Sequence, residues 1–181
     1  MSDRALVVFT YKSRQHLLDM GGTASWSLNP TEVRKCRYVV CTRNTDPNKT
    51  EEGATEPHGA AFLVGRIAGL KKVYREKGRQ RYKVLFDAVA HVLAEGIWDG
   101  SRTPTRYVPL DELANRGLDI ESLPFVLVEP DGIDDPVPAD AAGEEVSQRG
   151  GRFPLTIAEA KRGLALKFDV AEDDIEIVIK G

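Results

Sequence analysis

The chain has 181 residues, of which 41% are hydrophobic and 29% charged, enough apolar material for one core-bearing domain or a domain plus an appendage. Apolar runs such as Ala60 to Val64 and Val84 to Phe86 fall far short of the roughly 18 residues of a membrane span, and Met1 to Thr10 lacks the anatomy of a signal peptide. The expectation is a cytoplasmic protein without a membrane partner. Two cysteines, Cys36 and Cys41, are too few for a disulfide framework or a four-ligand zinc site. Their odd spacing in a strand points them to opposite faces, as reduced core thiols.

Ala5 to Tyr11 (ALVVFTY) is apolar and β-branched enough for a buried first strand, and Ser13 to Met20 reads as a short helix ended by Gly21-Gly22. Asn29-Pro30-Thr31-Glu32 is a helix start, with Asn29 as cap, Pro30 at the first helical position and Glu32 placed to reach back as in a capping box. Arg37 to Thr42 (RYVVCT) is the next strand, and the polar stretch Arg43 to His58 reads as a long mobile loop. Ala60 to Val73 and Arg81 to Leu93 form a long antiparallel ribbon turning at Gly78, although AVAHVLAE at Ala88 to Glu95 also suits a helix. Gly65 and Gly69 are poor strand residues, and a bulge or bend of the kind that curves a sheet into a barrel accounts for them. Thr105 to Val108 then serves as a closing strand, Pro109 to Asn115 as a short helix, and Leu123 to Val128 as a last strand completing the sheet.

From Glu129 to Phe153 the composition shifts to Asp, Glu, Pro, Gly and Ala, marking an acidic flexible linker after a domain spanning 1–128. Residues 154–181 form a helix–strand module. Thr156 and Glu159 make a capping box, Ile157, Ala160, Leu164 and Phe168 recur at helical spacing, and Ile175, Ile177 and Ile179 alternate with polar neighbours. So small a unit needs a surface to pack on, either its own domain, a second copy in a homodimer, or a protein partner.

Charge divides the chain as well. Residues 1–120 carry 19 Lys+Arg against 14 Asp+Glu, and residues 121–181 carry 6 against 14. The strongest local feature is Arg66 to Lys83, where Arg66, Lys71, Lys72, Arg75, Lys77, Arg79, Arg81 and Lys83 face only Glu76 and are interleaved with Tyr74 and Tyr82. Such a ribbon either keeps a sheet edge soluble or meets phosphates, with aromatics ready to stack on bases. Trp26 and Trp98, the only tryptophans, stand among small and polar residues and suit either core packing or a cavity wall on which an unpaired base stacks.

Marked catalytic chemistry is missing. His16, His58 and His91 are scattered without metal-ligand spacing, and G-x-G-x-x-G, G-x-x-x-x-G-K-[ST] and G-x-S-x-G motifs are absent, so no metal, cofactor or catalytic residue is assigned. Asp46, Glu51, Glu52, Glu56 and His58 are the one loop set with acid–base types, and loop solvation explains them as well.

The order of strand, helix, Trp26, Asn29-capped helix, strand, Gly-rich strand, hairpin and late W-x-G turn over the first 115 or so residues resembles the PUA-like superfamily, most of all its EVE-type branch. Trp26, Asn29, Arg34 and Lys35 echo that branch, as does PHGAAFLVG. The resemblance implies an α+β fold, a small curved antiparallel β-barrel with short helices that binds RNA or modified DNA bases in a pocket. It puts Trp26, Ser27 and Asn29 near the pocket, with Arg43 and Asn44 at its mouth. The C-terminal stretch also resembles a recurrent bacterial tail. The leading expectation is a noncatalytic nucleic-acid-binding protein, a reader of modified or unpaired bases, using Trp26, Ser27, Asn29, Arg43, Asn44, Arg66, Lys71, Lys72, Arg75, Lys77, Arg79 and Trp98. A protein-interaction module and a small hydrolase acting on a modified nucleoside are the alternatives.

Overall fold

A computed structural model describes residues 3–129 and the backbone of Asp135–Pro136. The chain divides after Ala142 into two units. The expected helix–strand module of 154–181, and the linker of 129–153 apart from Glu129 and Asp135–Pro136, lie outside the described residues.

Strand β1 (Arg4–Thr10) is followed by helix α1 (Arg14–Asp19), strand β2 (Gly22–Trp26), helix α2 (Pro30–Val33) and strand β3 (Cys36–Arg43). The Asn29 cap forms as expected, its Oδ1 accepting from the Thr31 amide, and at the start of α1 the Ser13 hydroxyl accepts from the His16 amide. Glu32 does not complete a capping box but pairs with Lys35 at 2.6 Å. The long strands β4 (Ala61–Glu76) and β5 (Arg79–Ala94) follow, with Ala88–Ala94 settled as strand, then β6 (Thr105–Pro109) and helix α3 (Leu110–Asn115). Lys77 and Gly78 alone connect β4 to β5, with φ of 48° and 79°, the two positive values of a tight hairpin turn. In place of the expected strand at Leu123–Val128 there is a 3₁₀ turn, Ile120–Ser122, and a two-residue strand β7 (Val126–Leu127); strand β8 is Asp135–Pro136.

The sheet runs β2-β5-β4-β3-β1-β6, with β7 added to β5 and β8 to β4. This corrects the expected antiparallel barrel. The chain crosses over from β1 to β3 through α1, β2 and α2, so β1 and β3 pair in parallel, Val7 opposite Val40. Thr105–Pro109, read as the closing strand, lies beside β1 as an edge, while β2 holds the far end beside β5. The two ends do not pair, the sheet stays open, and the PUA-like barrel architecture does not describe this chain.

Burial on both sides explains the continuous apolar runs of β1 and β3. Leu6 and Val8 enter one core with Leu17 of α1, Val33 of α2, Phe62 and Phe86. Ala5 and Val7 enter the other with Val40, Val64, Trp98 and Leu113 of α3. The expected opposition of the cysteines is also corrected. The register shift at the start of β3 leaves Arg37 unpaired, so Cys36 and Cys41 join the same core. Both are free and buried, and burial pushes each thiol up to about 12.

Gly69 stands at a bulge, where Ile67 faces Phe86 and Gly69 faces Leu85. Gly65 has another cause: the Phe86 ring crosses directly over its backbone.

Candidate nucleic-acid interface

Because β1 and β3 are parallel, their carboxyl ends open on the same side of the sheet, the usual place for a ligand in an open sheet with crossovers. There Phe9, Thr10 and Tyr11 from the end of β1, Trp26 from the end of β2, and Asn44 just past β3 line a pocket of about 410 Å³. Lys12 and the rim Ser101, Arg102 and Pro104 complete it. Asp99 shapes that rim by accepting from the Ser101 amide at 3.1 Å and pairing with Arg106. The Phe9 wall is backed by Trp98, stacked parallel to it at 4.5 Å, and braced at its edge by His58. Trp26 lines the pocket, and its indole N–H is buried with no acceptor among the described residues.

Beside the pocket runs a groove of about 520 Å³ that shares Lys12 and Ala24 with it. Its lining among the described residues includes Lys71, Lys72, Lys83, His16 and Tyr74. Strand pairing sets three of its lining residues, Ser25, Lys83 and Lys71, in one cross-strand row over β2, β5 and β4. The Lys83 ammonium donates to the Met20 carbonyl.

Residues 44–58 form a long loop, as expected, and its acids Glu51 and Glu56 bond to residues outside it. Glu51 accepts from Lys12 Nζ at 2.7 Å and from the Ser13 amide at 2.9 Å, and lies 2.9 Å from His16 Nδ1. Burial opposes ionisation of Glu51, but these hydrogen bonds and the Lys12 charge outweigh it and hold the carboxyl down at about 2. For Glu56, too, burial is outweighed, by its own amide, by hydrogen bonds from Arg43 and by the charges of Arg43 and Arg14, and its pKa falls. Both are carboxylates engaged by cations, which is a positioning job: Glu51 holds Lys12 where pocket and groove meet.

The sequence-predicted residues thus separate. Trp26 and Asn44 line the pocket, and Lys71 and Lys72 the groove. Arg75, Lys77 and Arg79 are exposed on the outer ribbon. Arg66 is paired with Asp87 at 2.6 Å. Ser27 and Asn29 are exposed and line neither cavity, Asn29 serving as the α2 cap. Trp98 is buried behind Phe9. Arg43 is fully buried, with its fork spent on Glu56 and on the Thr10 and Lys12 carbonyls, so it does not stand at the pocket mouth. Sequence reasoning missed Phe9, Tyr11, Lys12, Ser101 and Arg102. The signal for Lys12 was its place just past a strand with an apolar centre, Ala5 to Phe9, where an open sheet presents its loops.

Among the described residues no cluster of His, Cys, Asp and Glu could hold a metal ion, and no helix is long and apolar enough to cross a membrane. Comparison with known protein families, curated proteins and solved structures finds no match to this chain.

Proposed function

We propose that this protein binds nucleic acid without catalysis, seating one unpaired base against Trp26 and running the adjoining phosphates along the lysine groove. The observation that carries the reading is the shared wall: an aromatic pocket and a groove lined by Lys71, Lys72 and Lys83 meet at Lys12 and Ala24. A nucleotide has the same division, a flat apolar face with a polar edge joined to an anion. Asn44, Thr10 and Ser101 supply hydrogen-bonding groups for a base edge. We place the protein in the cytoplasm, where the free thiols of Cys36 and Cys41 stay reduced.

The groove is tested with Lys71→Ala combined with Lys72→Ala, titrated against labelled single-stranded DNA at several salt concentrations. Affinity is expected to fall by a similar factor for every sequence tried. The dependence of log K on log salt becomes shallower by about 0.7 for each phosphate that the variant no longer neutralises. Unchanged affinity with an unchanged slope would remove phosphates from the groove.

A further inference from the structure

Beyond the last pairs with β2, Ser25 with Lys83 and Trp26 with Tyr82, the β4–β5 ribbon has no neighbouring strand among the described residues. Residues 73–81 therefore project as a free two-stranded arm, about 15 Å long at the usual strand rise. It is a stiff arm. Its tip is the two-residue Lys77-Gly78 turn, and Gln80 Nε2 donates to the Tyr74 carbonyl at 3.3 Å. Glu76 pairs with Arg81 at 2.8 Å, and Tyr74 reaches the Ser25 hydroxyl at 3.1 Å. At its base, Val73 and Tyr74 stand against the single residue Arg81, a bulge that adds twist. Arg75, Lys77 and Arg79 are exposed and make no ion pair among the described residues.

We infer that this arm enters the major groove of a B-form DNA duplex flanking the base held in the Trp26 pocket. The inference rests on the proposed function and names its ligand class: duplex DNA with an unpaired or extruded base. Three observations carry it. Tyr74 lines the lysine groove, so a backbone following that groove arrives at the arm's base. A two-stranded ribbon with strands about 4.8 Å apart fits a major groove about 12 Å wide, whereas the deep, narrow major groove of A-form RNA excludes it. The three unpaired cations lie at the end that travels deepest, and arginine there can meet guanine O6 and N7 as well as phosphate.

The test uses Arg75→Gln, Lys77→Gln and Arg79→Gln together in the full chain. Fluorescence anisotropy is measured with three probes: a DNA duplex carrying one looped-out base, the same strand alone, and the matching RNA duplex. The arm variant should lose about 10- to 100-fold on the DNA duplex while keeping single-strand affinity within about twofold. That retained binding also shows the variant to be folded. Wild type should bind the RNA duplex at least about tenfold more weakly than the DNA duplex. Equal losses on duplex and single strand, no loss on either, or RNA bound as tightly as DNA would overturn the arm assignment. Trp26→Ala, titrated alongside, separates the two ideas. If it weakens single-strand binding while the arm variant behaves as wild type, only the arm assignment falls, and if it changes nothing with any probe, both do.

Discussion

Arg43→Ala is expected to destabilise the fold by about 3–5 kcal/mol, the cost of breaking a buried ion pair from one side. The guanidinium has no exposed surface. Its Nη2 and Nε donate to Glu56 Oε2 at 2.7 and 3.1 Å, its Nη1 donates to the Lys12 carbonyl at 2.6 Å, and its plane lies 4.0 Å from the Phe62 ring centre. Alanine leaves the Lys12 carbonyl without this donor and Glu56 with Arg14 as its remaining ion-pair partner, 3.0 Å away. Arg43→Lys should recover only part of the loss, because a single ammonium cannot reproduce a planar fork. Urea denaturation measures both variants. A loss below about 1 kcal/mol for alanine would contradict a stabilising role for the buried pair. Because Arg43 fixes the backbone that presents Thr10 and Lys12, a variant that still folds should also bind nucleic acid more weakly, although Arg43 touches neither cavity.

Gly65→Ala should cost about 3 kcal/mol, at the upper end for an overpacked core. An added Cβ would lie 2.7 Å from Phe86 Cε1 and 2.9 Å from Cγ, and closer still to Cδ1. Phe86 is itself fully buried among core side chains, so its ring has no free space to move into. The mechanism is steric and therefore coupled. Combining Gly65→Ala with Phe86→Leu should destabilise by clearly less than the sum of the two single changes, as a denaturation double-mutant cycle would show. Additive effects would mean that the glycine is required for some reason other than the ring.

The strands were legible where side-chain pattern decides them. ALVVFTY, RYVVCT and the two ribbon arms all form near their expected bounds, and so do the helices capped by Ser13 and Asn29. The barrel was misread because pairing direction is not a property of single strands. Both β1 and β3 carry unbroken apolar runs, the mark of strands buried on two faces, and that fits a parallel pair between layers better than a barrel wall. Strand β2 escaped notice because Gly22–Trp26 has almost no apolar alternation and is held in place by the edge of β5.

The site divides along the same line. Trp26, Lys71 and Lys72 stood out by residue type, and Asn44 was implied only by the family resemblance. Arg43 looked available because its partner Glu56 lies in a polar loop 13 residues away, which local sequence does not connect to it. Lys12 and Arg102 are 90 positions apart and share a pocket because β1 lies between β3 and β6.

The claim that Trp26 holds a base is tested most directly by anisotropy titration of two short single-stranded DNA probes, one with a single defined base in an abasic tract and one wholly abasic. Wild type should prefer the base-bearing probe by about 10-fold or more, from stacking worth about 1–3 kcal/mol, and Trp26→Ala should bind the two alike. Equal affinity of wild type for both probes would contradict a base-holding Trp26 and leave the lysine groove as a binder of backbone alone.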